Sequence, residues 1–180
     1  MKKLLLAAAL FIGGASTITT TPIDADAKTI SVSALKQYKP STTYTYTYRT
    51  TIHGTSSTYK LKYNQSKKAF VQPNSNKVSL FYSASKDQFF IANYDELVLW
   101  IDTPVKSGKI TKISDVGSTH KFKVVSTTKK VTVGGKTYKN VLVVKNLNDA
   151  TTFYIAKNRG IILEKNSKTG FKEALIKVTK

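Results

Sequence analysis

The chain has 180 residues with 29 basic and 10 acidic side chains, which gives a formal net charge of +19, and it contains no cysteine. The missing cysteine excludes disulfide scaffolds, cysteine-ligated zinc and iron–sulfur sites, thiol catalysis and a lipidated cysteine anchor. With 41% hydrophobic residues the chain is too apolar for a disordered polycation, so we expect one folded domain of ordinary size.

Residues 1–27 have the pattern of an export signal. Lys2 and Lys3 precede an apolar run from Leu4 to Ala15, and a polar stretch then ends in Ala25-Asp26-Ala27. This is the order of n-region, h-region and A-x-A cleavage site, and the apolar run is shorter than the roughly 20 residues that span a membrane. We therefore predict cleavage after Ala27 and a protein that is secreted, extracellular or associated with the cell wall. An uncleaved signal anchor is the alternative.

The predicted mature chain, residues 28–180, keeps the net charge of +19 because the signal holds two lysines and two aspartates. Only Arg49 and Arg159 among the 29 basic residues are arginine, the residue that usually recognises phosphates and bases in a bidentate manner. We therefore expect no sequence-specific nucleic-acid binding. A diffuse lysine charge outside the cell instead favours attraction to anionic cell-wall polymers or lipid headgroups. No later stretch has the length of a transmembrane span, and we expect a monomer.

Two strands after Pro40 alternate cleanly between aromatic and polar residues. The tyrosines of Thr43-Tyr44-Thr45-Tyr46-Thr47-Tyr48 fall on one strand face, and Tyr59-Lys60-Leu61-Lys62-Tyr63 pairs back through the turn around Gly54. An exposed face of this kind would stack on glycan rings or lipid headgroups, whereas a packed face would simply be core. The candidate ligand-binding residues are Tyr44, Tyr46, Tyr48, Tyr59, Tyr63 and Trp100.

The rest of the chain shows further short strands separated by tight-turn residues. Gly134-Gly135 has the spacing of a two-residue hairpin turn that needs positive φ, and Asn158-Arg159-Gly160 and residues 166–170 punctuate the last strands. The remaining candidate strands are Ala69 to Gln72, Val78 to Ser83, Gln88 to Ala92, Leu97 to Ile101, Lys121 to Ser126, Lys129 to Val133, Thr137 to Lys145, Thr151 to Ala156, Gly160 to Lys165 and Phe171 to Val178.

About eleven strands joined by short turns predict an all-β domain, an antiparallel meander that forms a half-barrel, a barrel or a sandwich. Ile30 to Tyr38 and Asp95 to Trp100 are each compatible with a short helix, and we leave both open. The continuous apolar runs Val141–Val144 and Ile161–Leu163 indicate strands covered on both faces, which places the core in the C-terminal half.

The C-terminal half also carries a recurrent succession of strands and turns. It consists of Val131-Thr132-Val133, Gly135, Lys136-Thr137-Tyr138-Lys139-Asn140-Val141, Phe153-Tyr154-Ile155-Ala156 and Gly160-Ile161-Ile162-Leu163, with Trp100 to Lys109 upstream. This pattern resembles small exported β-rich proteins of Gram-positive bacteria, mostly uncharacterised. The resemblance implies a twisted half-barrel similar to that of lipoprotein carriers of the LolA kind, and it brings no catalytic residues. Many relatives carry a lipobox cysteine, which this chain lacks, so a membrane-tethered role does not follow from it.

Catalytic and metal-binding patterns are missing from the sequence. His53 and His120 are the only histidines, and no HExxH, GxSxG, Walker or GxGxxG motif is present. The adjacent acids Asp95 and Glu96 would point to opposite faces of a strand, which does not suit paired-acid catalysis. We therefore expect neither an enzyme nor a cofactor, and we see no compact metal-ligand spacing.

Two functional hypotheses remain from different classes. The first is a secreted, non-enzymatic binding protein that associates with the anionic cell envelope and holds an apolar or glycan ligand on an aromatic-lined sheet. The second is a structural or surface-assembly protein of a matrix, whose Thr- and Tyr-rich strands pair between molecules through exposed edges.

Overall fold

A computed structural model gives the fold and describes residues 28–73, 75, 79–94, 96–115 and 118–180. The predicted signal peptide, residues 1–27, lies outside these residues. Within them the chain forms a short helix, α1 (Val32–Lys36), and 12 strands. The strands are β1 (Thr45–Ile52), β2 (Thr55–Asn64), β3 (Ala69–Val71), β4 (Ser79–Ala84), β5 (Gln88–Asn93), β6 (Glu96–Asp102), β7 (Ile110–Asp115), β8 (Ser118–Val133), β9 (Lys136–Asn146), β10 (Thr151–Ala156), β11 (Gly160–Asn166) and β12 (Lys172–Thr179).

The strands form a single antiparallel sheet that curls into a nearly closed barrel. Their order is β6-β5-β4-β3-β2-β1-β12-β11-β10-β9-β8-β7. Paired strands are consecutive in the chain, with the exception of β1 and β12. The end strands β6 and β7 meet along a seam, where the backbone N–H of Asp102 donates to Thr111 Oγ1 at 3.0 Å. Lys109 Nζ donates to the main-chain oxygens of Asp102 and Thr103 at 3.2 and 3.0 Å. These contacts hold one end of the seam together.

Helix α1 packs against the barrel and lies between Ile30 and Tyr38, where the sequence left a short helix open. Ser31 caps its N-terminus, with Ser31 Oγ accepting the Ala34 N–H at 3.4 Å. Leu35 is fully buried, and the buried Tyr38 donates its hydroxyl to the main-chain oxygen of Asn140 on β9 at 2.8 Å. The helix contacts β4 as well.

The predicted fold class, an antiparallel all-β meander, is confirmed, and its barrel form is the one observed. Most predicted strands lie within two or three residues of the observed ones. The predicted strands Lys121–Ser126 and Lys129–Val133 are one long strand, β8, which continues through three irregularities in its pairing with β9. The helix alternative at Asp95–Trp100 is wrong from Glu96 onward, because Glu96–Asp102 pairs with β5 as a strand. Asp95 and Val78 lie outside the described residues.

The core extends around the whole barrel, which corrects its predicted placement in the C-terminal half. Val141–Val144 and Ile161–Leu163 are buried at every position, as expected for strands covered on both faces. Leu61, Phe89, Leu99 and other N-terminal side chains are buried equally well. A closed barrel gives every strand an inward face, so both halves of the chain contribute to the core.

Candidate functional site: a cavity in the barrel

A cavity of about 470 Å³ lies inside the barrel, at the end where β6, β8 and β10 begin. Its wall is made by side chains from nine strands and from the loop between β9 and β10. The lining residues are Tyr59, Leu80, Asn93, Glu96, Leu97, Val98, Ser118, Thr119, His120, Asn146, Asn148, Asp149, Thr151, Phe153, Ile161, Glu164 and Glu173. The cavity therefore combines apolar, aromatic, amide and acidic groups.

Two glutamates lie side by side in one wall of this cavity. Glu164 on β11 lies directly opposite Glu173 on β12, and residues in this relationship share a sheet face. The neighbouring strands continue the row, because Glu173 is opposite Thr50 and Glu164 is opposite Phe153. A bulge at Ile162 changes the alternation of β11, so that Ile161 and Glu164 both line the cavity although they are three residues apart.

The carboxyl group of Glu173 is held by hydroxyl groups of neighbouring strands. Tyr59 and Thr50 form side-chain hydrogen bonds with it, and the ring of Tyr59 stacks on that of Tyr48 with 5.6 Å between centroids. Burial raises the pKa of Glu173, and the two hydrogen bonds lower it in part. Burial and the nearby Glu173 together raise the pKa of the Tyr59 hydroxyl. Tyr59 therefore stays a hydrogen-bond donor at any physiological pH.

Glu164 has a more perturbed carboxyl group. Its burial, followed by repulsion from Glu173, Asp149 and Glu96, raises its pKa to about 8. Among the described residues, none donates a hydrogen bond to this carboxyl. Its raised pKa therefore favours the protonated form at neutral pH.

The cavity has the opposite charge character to the outer surface. Four of the eight acidic residues after position 27 line it, namely Glu96, Asp149, Glu164 and Glu173, and its described lining contains no lysine or arginine. Every described lysine is exposed except the half-exposed Lys109 and Lys145. The outward faces of β1, β2, β11 and β12 form what we call the basic face, which consists of Arg49, Lys60, Lys62, Lys165, Lys172 and Lys177.

Side-chain amides order the rim of the cavity. Asn148 Nδ2 donates to the main-chain oxygen of Thr119 at 2.7 Å, and Asn148 Oδ1 accepts the Lys121 N–H at 2.8 Å. Asn166 Nδ2 donates to the main-chain oxygen of Asp149 at 3.0 Å, which ties the β11–β12 turn to the β9–β10 loop. Because these bonds need no ligand, this part of the rim is formed in advance.

The predicted tyrosine face points into the barrel, but only Tyr59 lines the cavity. Tyr46 and Tyr48 are buried, and they donate their hydroxyls to the main-chain oxygens of Ser41 and Ile161, each at 2.9 Å. Tyr63 packs on Phe70 with 5.2 Å between ring centroids. Lys60 and Lys62 are exposed on the outer face, as the alternation predicts.

The other predicted aromatic residues lie elsewhere. The Tyr44 ring is half-buried, with the guanidinium of Arg159 5.3 Å from its centroid. Trp100 is on the outer face of β6, where it stacks on the opposite residue Phe90 at 5.2 Å and donates Nε1–H to Asp102 Oδ1 at 3.2 Å. The six candidate residues therefore occupy four environments, and a ligand in the cavity would meet Tyr59.

The two histidines are separated in the fold. His53 occupies the β1–β2 turn with φ of 47°, while His120 stands at the cavity rim, where its ring stacks on Phe122 at 6.4 Å. No three His, Asp or Glu side chains among the described residues are grouped closely enough to hold a metal ion. In the part of the chain that the structure describes, no helix has the length and apolar character to cross a bilayer.

The glutamate pair is the main feature that the sequence reasoning missed. The signal was present, because a hairpin centred on residues 168 and 169 places Glu164 opposite Glu173, and both acids adjoin apolar strand residues. The inward direction of Glu164 depends on the bulge at Ile162, which periodicity does not reveal. Comparison of the chain with protein-family models, with curated proteins and with solved structures finds no match.

Proposed function

We propose that the chain is an exported, non-enzymatic binding protein that holds a small apolar or glycan ligand in its barrel cavity while its lysines keep it at the anionic cell envelope. The observation that carries the proposal is the cavity of about 470 Å³ with a mixed apolar and polar lining. Small-molecule sites typically have about 300–1,000 Å³ and a few convergent polar groups in an apolar wall. The cavity matches this description.

The lining supplies both parts that such a ligand needs. Leu80, Leu97, Phe153 and Ile161 offer an apolar surface, while Tyr59 and the rim amides offer hydrogen-bond partners. The ordered rim reduces the entropy that binding must overcome. The resemblance to exported Gram-positive proteins and to LolA-like carriers is compatible with a barrel that encloses a ligand, and it stays a prediction.

The charge distribution supports association with the envelope. In β1, β2, β11 and β12 the acidic side chains are Glu164 and Glu173, which both line the cavity, so the basic face carries positive charge alone. A surface of this kind attracts polyanions over the Debye length, about 8–10 Å at physiological salt. Phosphate groups of cell-wall polymers or of lipid headgroups have the required chemistry.

The matrix alternative needs free edges on the Thr- and Tyr-rich strands. β1 is paired on both sides, with β2 and β12, and β2 is paired with β1 and β3. Pairing between molecules through these strands would require one of them to leave the sheet. We therefore argue the binding function rather than the matrix function.

The cavity function is tested with a fluorescent apolar probe and a blocked cavity. Leu97→Trp fills the cavity from β6, and Val125→Trp is the matched control because Val125 is 48% exposed on the outside of β8. We expect 1-aminoanthracene to bind wild type and Val125→Trp with equal affinity, and Leu97→Trp at least about tenfold more weakly. No saturable binding to wild type, or equal binding to Leu97→Trp, would overturn the proposed function.

A further inference from the structure

Carboxyl groups predominate among the ionisable groups of the cavity. Glu164 and Glu173 line its wall, Glu96 and Asp149 stand at its rim, and the other titratable groups that line it are Tyr59 and His120. The described lining contains no lysine or arginine that would compensate these acids. The cavity is therefore rich in carboxyl groups, although the whole chain carries +19.

An anionic ligand is disfavoured in such a site. Its charge would lie beside Glu173 and the rim acids in a partly desolvated environment, where like charges repel more strongly than in water. A neutral polar ligand would leave the acids uncompensated. A cation would favour the ionised form of both carboxyl groups, and it would supply Glu164 with a hydrogen-bond donor, which none of the described residues does.

We propose that the ligand of this cavity is an amphiphilic amine whose ammonium group binds between the carboxyl groups of Glu164 and Glu173. Its apolar body lies against Leu80, Phe153 and Ile161, which line the same cavity. This inference rests on the proposed binding function and names the chemical class of the ligand. A primary ammonium suits the position because it donates three hydrogen bonds, and the two carboxyl groups are cross-strand neighbours.

Binding would also move a proton. Burial and the facing acids Glu173, Asp149 and Glu96 favour the protonated form of Glu164 at neutral pH, because they raise its pKa to about 8. An ammonium group beside the carboxyl favours its ionised form. The amine therefore displaces the proton of Glu164 into solvent, and the heat of binding at pH 7 depends on the ionisation enthalpy of the buffer.

The test uses three probes with one tail and different head groups, namely octylammonium, octanol and octanoate. We expect wild type to bind octylammonium at least about tenfold more tightly than octanol, and octanoate more weakly than either. Calorimetry in phosphate and in Tris buffer should show proton release when octylammonium binds, but not when octanol or octanoate binds. Equal affinities for octylammonium and octanol, or binding of octylammonium without proton release, would overturn the amine proposal.

A pair of carboxyl-to-amide variants locates the ammonium group. Glu164→Gln should bind octylammonium about tenfold more weakly or worse, with unchanged affinity for octanol, which also shows that the cavity is intact. The matched control is Asp87→Asn, because Asp87 is exposed between β4 and β5, outside the cavity lining. It should bind all three probes as wild type does. An equal loss in both variants would place the amine elsewhere.

The outcomes separate this inference from the proposed function. If none of the three probes nor 1-aminoanthracene binds, the cavity is not a ligand site and both proposals fail. If octanol binds and Leu97→Trp abolishes it, but octylammonium gains nothing over octanol, the binding function stands and the amine inference fails.

Discussion

Glu164 on β11 lies directly opposite Glu173 on β12 inside the barrel, and the next pair along the same strands, Lys165 and Lys172, lies on the outer face. Two like-charged pairs thus follow each other on opposite faces of one hairpin. Like charges directly opposite each other destabilise a sheet. The inner pair avoids part of this cost because Glu164 keeps its proton, since burial and Glu173 raise its pKa to about 8.

The free energy of unfolding should therefore depend on pH between about pH 4.5 and pH 8 through the ionisation of Glu164. The unfolded carboxyl loses its proton near pH 4.5, whereas the folded one keeps it up to about pH 8. Unfolding releases a proton between these values, so this contribution is complete below about pH 4.5 and declines as the pH rises to about 8. Glu164→Gln should flatten the decline and raise the free energy of unfolding at pH 8.5 by at least about 1 kcal/mol.

Denaturant unfolding across this pH range measures the effect. Asp87→Asn removes an exposed carboxyl outside the cavity and should keep the wild-type slope of stability against pH. An identical slope in wild type and Glu164→Gln would show that the folded carboxyl ionises at an ordinary pH.

Tyr46 should act as a core residue rather than as a contact for the ligand. It is 1% exposed, its ring packs edge-on against Phe70 at 5.8 Å, and its hydroxyl is bonded to Ser41. Tyr46→Ser should lower the free energy of unfolding by about 3 kcal/mol or more, because it leaves a cavity in the core. Tyr44→Ser, at a half-buried position of the same strand face, should cost less. Unchanged stability with lost 1-aminoanthracene binding would instead assign Tyr46 to the binding surface.

Gly160 should be required for its space as well as for its conformation. Its φ is 67°, and a Cβ there would lie 2.7 Å from the Tyr82 hydroxyl oxygen and 2.8 Å from Pro40 Cγ. Gly170 has a similar φ of 70° with open space around it. Gly170→Ala should cost about 1–2 kcal/mol from backbone strain, and Gly160→Ala about 1–3 kcal/mol more from overpacking. Equal losses in thermal unfolding would mean that the contact at Gly160 relaxes freely.

The basic face should dominate binding to envelope phosphates. Replacing Lys60, Lys62, Lys172 and Lys177 by glutamine should allow elution from an immobilised glycerol-phosphate polymer at about half the wild-type salt concentration. The control carries the same substitutions at Lys67, Lys86, Lys106 and Lys139, which are exposed elsewhere. It should elute closer to wild type. Vesicles of phosphatidylglycerol form the second arm and distinguish a polymer from a lipid surface.

Equal shifts in the two lysine variants would show that only the total charge matters. Absence of wild-type binding at low salt, or retention at molar salt, would contradict electrostatic association with the envelope. These outcomes leave the cavity unaffected, because its described lining has no lysine.

The fold was largely predictable, because alternating apolar and polar residues and the turn residues between them indicate most of the strands. The Gly134-Gly135 hairpin has φ values of 56° and 75°, as its spacing predicts. β7 (Ile110–Asp115) was missed because its pattern is inverted: Thr111 is buried at the seam, while Ile110 is 47% exposed. The predicted strands leave out Thr127 and Thr128 in the middle of β8, yet Thr127 is buried and donates its hydroxyl to the main-chain oxygen of Lys28 at 2.7 Å.

The cavity was much harder to predict than the fold. Alternation correctly gave the shared face of the tyrosines, but whether a face is filled or hollow depends on how the barrel closes and on what enters it from its ends. Tyr46 fills the barrel interior. Tyr59 lies on the same face of β2 as the buried Leu61, two residues away, yet it borders the cavity. This difference arises from the way side chains pack across the barrel, and the residue pattern of one strand does not reveal that packing.

Native mass spectrometry of the protein recovered from the cells that produce it tests the central claim most directly. Wild type and the control Val125→Trp should each carry about one equivalent of a small amine that is lost on denaturation, and Leu97→Trp should be recovered without it. Wild type, Val125→Trp and Leu97→Trp all recovered at the mass of the polypeptide alone, or all carrying the same molecule, would contradict a ligand site in the barrel cavity.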